Sequence, residues 1–128
     1  ALAKFKSSKQ ALIHNITEKP ERIYIPHLKD GHLAHRQISR AVIEVLRKND
    51  YSCEILGYEI WSPIESPDVF VDITDFVELK RKSIQRHESQ VAYLAYDEGI
   101  LALNKYRAFQ LGKLIGKEER YVEAFVKL

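Results

Sequence analysis

The chain has 128 residues, the size of one domain or part of one, and 45% of them are apolar, enough to supply a core. Its net charge of +2 is too small to mark a protein that grips nucleic acid or an anionic membrane surface through bulk electrostatics. The single cysteine, Cys53, excludes an internal disulfide and fits a reducing compartment, with the cytoplasm as the expected location. No apolar run reaches the length of a transmembrane helix, and no charged-then-apolar signal segment opens the sequence.

Residues 1–15 read as a helix with Leu2, Phe5, Leu12 and Ile16 roughly on one face. Nothing resembling a cap precedes it and the chain has no methionine, so the sequence is expected to begin inside an element. That helix should end before Pro20, because the residue before a proline avoids the helical region. Residues 22–25 then form a short buried strand, broken at Pro26 and turned through Asp30-Gly31. A helix begins near His35, with Ile38, Ala41, Val42, Val45 and Leu46 as its apolar stripe, and stops at Asn49-Asp50. Residues 54–61 make a second strand, closed by Ser62-Pro63. Strand, helix and strand span about forty residues, the size of a βαβ unit with two parallel neighbours.

Pro63 and Pro67 bracket a loop, and residues 69–73 are a third strand. Thr74 or Asp75 caps a helix running to about residue 90, whose Lys80-Arg81-Lys82 run reads as a solvated face. Residues 91–98 are ambiguous, residues 100–111 form a further helix, and Gly112 is its natural stop. A charged loop over 113–120 leads to an extended segment over 121–126, where Glu123 is expected to pair with a buried basic group such as Arg107. No repeat, low-complexity segment or linker divides the chain, so residues 1–128 read as a single domain or the C-terminal portion of one.

The chemistry concentrates in the turn after the first strand. His27, His32 and His35 are three of the five histidines, and the spacing of His32 and His35 puts both imidazoles on one side of a helix entry. Gly31 would let the backbone turn tightly and approach a ligand. A bare HxxH is common, and the plain alternative is a pair of solvent-exposed or carbonyl-bonded imidazoles. His27 reads as structural, His14 as part of a solvated helix face, and His87 as semi-buried beside Ile84 and Val91. Asp30 either lines a site or caps the helix; Arg36 either contacts a polar substrate group or is an exposed helix arginine. Trp61 forms either a pocket wall or core. Asp72 satisfies a neighbouring loop.

The segment Pro26-His-Leu-Lys-Asp-Gly-His-Leu-Ala-His-Arg36 resembles the second signature, roughly P-H-x-x-D-x-H-x-D-H, of the LmbE/PIG-L-like zinc-dependent N-deacetylases. Glu59-Ile-Trp-Ser-Pro63, Val71-Asp-Ile-Thr74, Arg86-His-Glu-Ser-Gln90, Asn104-Lys-Tyr-Arg107 and Tyr121-Val-Glu-Ala-Phe125 are similar to later segments of that family, in order. The resemblance implies a Rossmann-like three-layer α/β/α fold with a mostly parallel sheet, lacking its first strand or strands. It implies zinc as cofactor, His35 as zinc ligand and His32 as the catalytic histidine assisting the oxyanion; the residue readings above add Asp30, Arg36 and Trp61 as candidate substrate contacts. The implied reaction is removal of an acetyl group from an N-acetylated amino sugar such as an N-acetylglucosamine unit, with no nucleic-acid or membrane partner and self-association into a homo-oligomer left open.

Two departures accompany the resemblance. The family's H-P-D-D signature, which carries the general base and two further zinc ligands, is absent, and Ala34 stands where a carboxylate between the histidines is expected. The chain therefore corresponds to the C-terminal half to two thirds of such an enzyme and, by itself, is expected to be inactive. The alternative is a non-catalytic relative that serves as a binding or structural module.

Overall fold

The computed structural model describes residues 20–112 and 118–128. The helix expected over 1–15, with His14, and the first part of the charged loop lie outside the described residues. The described residues fall into two compact units, one of residues 20–66 with 125–128, the other drawn from residues 67–124.

The first unit starts with strand β1 (Arg22–Pro26), followed by helix α1 (Leu33–Lys48) and strand β2 (Glu54–Tyr58). β1 and β2 pair in parallel from Arg22 opposite Glu54 to Pro26 opposite Tyr58, as the βαβ reading expects. Alternation along β1 turns Ile25 inward, where it meets Val42 and Leu46 of α1; Ile23, Ile43, Tyr51, Cys53 and Ile55 complete this cluster. The helix begins two residues before the position expected from the apolar stripe and ends at Asn49, after which Asp50 adopts a positive φ of 50°.

The stripe itself is rotated. Ile38 is 49% exposed, while Ser39 is fully buried. The Ser39 hydroxyl donates to the carbonyl of Pro26 at 2.6 Å and also lies 3.0 Å from the carbonyl of His35. A larger apolar side chain at Ser39 would leave the Pro26 carbonyl buried and unpaired, so a hydroxyl occupies a core-facing helix position. A hydropathy pattern cannot see that requirement.

Strand β4 (Val122–Lys127) supplies its last residues to the first unit, pairing antiparallel with β2: Leu56 faces Lys127, Gly57 faces Val126 and Tyr58 faces Phe125. The sheet order is β1-β2-β4-β3, with β3 at Val69–Asp72. The sheet is therefore mixed, and the expected mostly parallel Rossmann-like sheet is corrected. The reason is the direction of the last strand, which a hydrophobicity pattern leaves undetermined because alternation is the same in both directions.

The second unit follows β3 with a 3-10 turn (Thr74–Phe76), helix α2 (Val77–Gln85), a single turn α3 (Glu88–Val91) and helix α4 (Tyr96–Gln110). The single helix expected over 74–90 is thus three pieces. Asp72 starts them, accepting from both the amide and the hydroxyl of Thr74 at 3.0 and 2.6 Å, the local role expected of it. Gly112, with φ of 65°, stops α4 as expected. Lys80 is not on a solvated face: its ammonium bridges Asn104 Oδ1 at 2.8 Å and Glu123 Oε1 at 2.6 Å. Glu123 therefore pairs with a basic group drawn into the structure, as expected, but that group is Lys80 and not Arg107. His87, expected to be semi-buried, is exposed.

Gly57 marks a tight place between neighbouring strands of the first unit. A Cβ there would lie 3.0 Å from Val126 Cγ1 on one side and 3.1 Å from His27 Cα and Cβ on the other. Both neighbours are held by strand pairing, so Gly57→Ala is expected to destabilise the protein by about 2 kcal/mol, the usual cost of overpacking a closed core site. Urea unfolding of the variant checks this; unchanged stability would show that the strands can separate there.

Candidate functional site

The turn between β1 and α1 is built around one carboxylate. Asp30 is fully buried, and its two oxygens are met by backbone amides and a ring nitrogen. Oδ1 accepts the His32 amide at 2.8 Å and meets His35 Nδ1 at 3.0 Å. Oδ2 accepts the Trp61 and Ser62 amides at 2.9 and 3.2 Å. Burial alone would push this carboxyl up, but the three amide donors and the His35 ring overcome it and hold its pKa below the ordinary carboxylate value. The charge is felt nearby, where burial first and the Asp30 carboxylate second push the Tyr58 phenol up.

The remaining contacts lock the same turn. The Asp30 amide donates to the His27 carbonyl at 3.0 Å. The Gly31 amide donates to Ser62 Oγ at 2.8 Å. Arg36 donates to the carbonyls of Asp30 at 2.6 Å and Gly31 at 2.9 Å, so its guanidinium clamps the loop backbone. Gly31 is required for space: a Cβ would lie 2.8 Å from Trp61 Cδ1 and 2.9 Å from Ser62 Oγ. The room that the sequence reading assigns to a ligand is taken by the Trp61 indole.

The three histidines separate into different roles. His27 is buried, and its Nε2 donates to the Ser62 carbonyl at 2.8 Å, the structural role expected of it. His32 occupies the N-cap position of α1 without a side-chain capping bond, and its ring is exposed. The His32 and His35 ring centroids are 4.6 Å apart, tilted by 38°. Because an ionised Asp30 only accepts, His35 Nδ1 carries the proton in their contact, which turns the Nε2 edge away from the carboxylate. Asp30 thus serves His35, and only the main chain of His32, so it does not replace the side-chain partner missing at Ala34. Trp61 is 53% exposed and is a surface residue, not core.

This set does not fit a metal. Among the described residues no group of three His, Cys, Asp or Glu side chains converges as a metal ion requires. The carboxylate nearest to His35 is already filled by backbone donors, and His27 Nε2 is spent on a carbonyl. The expectation of zinc as cofactor, with His35 as its ligand, is corrected accordingly.

No family model matches the chain, and no curated protein matches it. Among solved structures, it is similar to the conserved protein TT1542 from Thermus thermophilus, at TM-score 0.71 and 21% identity, covering 94% of this chain and 56% of that one. It is also similar to GalB, the 4-carboxy-2-hydroxymuconate hydratase of Pseudomonas putida KT2440, at TM-score 0.69 and 19% identity, covering 96% and 58%. The chain spans a little over half the length of each. At this identity the likeness concerns the fold. Neither structure is described as a deacetylase, and with the metal set missing, the LmbE/PIG-L N-deacetylase family, the metal-dependent amide hydrolase activity and its zinc chemistry are corrected together. No helix among the described residues is long and apolar enough to cross a membrane.

Two outcomes are expected from the central carboxylate. Asp30→Asn turns an NH2 group toward donors and should cost about 3 kcal/mol, the order of two buried donors left unpaired, measured by urea unfolding. The pH dependence has a fixed sign. The folded-state pKa is depressed, so the unfolded chain takes up the proton first. The Asp30 contribution is fully present above the unfolded value of about 3.9 and is lost as pH falls through it toward the folded value. The wild-type protein should therefore lose stability on acidification more steeply than Asp30→Asn does; parallel pH profiles would refute the assignment.

Proposed function

We propose that this chain is a metal-independent binding module for a small polar ligand, with an N-acetylated amino sugar as the ligand class. One observation carries the reading: a single buried carboxylate anchors both the His35 imidazole and the Trp61 backbone. An exposed indole and two exposed or half-exposed imidazoles are thereby preset on two loops tied by one carboxylate, with little ordering to be done on binding.

The chemistry suits a sugar. An indole presents an apolar face to the C–H side of a pyranose ring. With Nδ1–H directed at Asp30, the outward Nε2 of the His35 ring can pair with a hydroxyl or the acetamide group, while the His32 ring is available to the acetamide carbonyl. Arg36 does not contact the ligand in this reading; it keeps the loop in shape. The small net charge of +2 supports a neutral small molecule over nucleic acid, and the free thiol of Cys53 supports a cytoplasmic setting. The activities of the two similar structures remain theirs.

Titration of the protein with N-acetylglucosamine, followed by amide NMR shifts, should give saturable changes at His32, His35 and Trp61. The binding should be unchanged by EDTA. Trp61→Ala should weaken it about tenfold, equivalent to about 1.4 kcal/mol, with the Asp30 network intact because the indole alone is removed. Shifts confined to other residues, or affinity abolished by the chelator, would sink the reading.

A further inference from the structure

A second concavity within the same unit reaches the Asp30 turn only at Leu28. It is a groove of about 570 Å³, within the range of small-molecule sites. Its floor is apolar: Leu28, Ile43, Leu46, Tyr51, Ile55 and Leu128 line it. Its rim is the outer side of α1, where Arg40, Glu44, Arg47 and Lys48 also line it.

The charges on that rim are unequal in availability. Glu44 and Lys48 form an i,i+4 pair at 2.8 Å and largely cancel. Arg40 and Arg47 stand seven residues apart, on the same helix face, and neither makes a side-chain ion pair or hydrogen bond among the described residues. The groove thus offers an apolar trough edged by two uncommitted guanidinium groups. Guanidinium is weakly hydrated and matches a carboxylate bidentately, so it gives up little on meeting such a group.

We propose that this groove binds an amphipathic monoanion, a medium-chain acyl carboxylate, with its alkyl chain on Ile43, Leu46, Tyr51 and Ile55 and its carboxylate on Arg40 and Arg47. The inference is independent of the sugar reading, because none of these six residues belongs to the Asp30 turn.

The test is amide NMR titration of the protein with decanoate below its micelle concentration. Saturable shifts are expected at Ile43, Leu46, Tyr51 and Ile55, with no change at His35 or Trp61. Added salt should weaken binding, decanol should bind less well, and decyltrimethylammonium should not bind. Replacing both arginines (Arg40→Ala with Arg47→Ala) should weaken decanoate at least tenfold while leaving N-acetylglucosamine titrations unchanged. Ile43→Trp, which fills the trough and keeps both arginines, should block decanoate independently. Equal binding of the cationic amphiphile, an unaffected double variant, or shifts centred on the Asp30 turn would overturn the proposal. So would occupation of the trough by another part of the protein: nuclear Overhauser contacts from residues 1–16 to Tyr51, or a concentration-dependent dimer that protects this face.

Discussion

The first unit depends on the ionised carboxylate of Asp30. A fully buried charge is costly, and it is tolerated here because four donors surround two oxygens. Those donors come from separate stretches of chain. Oδ1 organises the entry to α1 through His32 and His35, while Oδ2 organises the segment after β2 through Trp61 and Ser62. The same atom pair therefore ties two loops that parallel β1 and β2 deliver to the same end of the sheet. In the binding reading proposed above, the site lies at this end, where ligands gather beyond the carboxyl ends of parallel strands, and Asp30 ties its two loops together.

Rigidity has a chemical corollary. The residues with conspicuous functional potential in the sequence divide into those that build the turn and those that the turn displays. Asp30, His27, Arg36 and Gly31 are consumed in construction, each by a named backbone or side-chain contact. His32, His35 and Trp61 are what remains exposed or half-exposed. A cluster of three histidines near an aspartate thus yields two available imidazoles and, among the described residues, no metal set. Counting ligand-type residues overstates what a site can hold unless the hydrogen bonds already made are subtracted first.

Much of this is legible in the residues. The β1-α1-β2 unit, the stop at Asn49-Asp50, the β3 position and the Gly112 terminus follow from periodicity and turn chemistry. The strand–loop–helix order and the histidines alone identify the turn as the centre of interest. The failures have physical causes. Strand direction leaves no mark in alternation, so the pattern cannot show that β4 runs against β2. Long-range polar pairing leaves no mark in spacing, so the sequence places Lys80 in solvent and does not single it out as the basic partner of Glu123. The resemblance of the histidine segment to a deacetylase signature misleads because a short run of His, Asp and Gly also suits a purely hydrogen-bonded turn. Ser39, hidden among apolar neighbours, has one available signal: a hydroxyl one turn after His35, opposite a strand that ends in proline.

That proline has a further effect on how the molecule meets others. The bonds from the His27 amide to the Tyr58 carbonyl, and from the Glu54 amide to the Glu21 carbonyl, show that the odd-numbered residues of β1 face β2. The even-numbered ones, Arg22, Tyr24 and Pro26, direct their main chain to the open side of the edge strand. Pro26 has no N–H to offer, and its carbonyl is already held by Ser39. Among the described residues, the edge therefore exposes a template only two residues long, beside the charged Arg22. An edge so short offers an incoming strand too few hydrogen bonds to register against, which guards a parallel pair against templated aggregation.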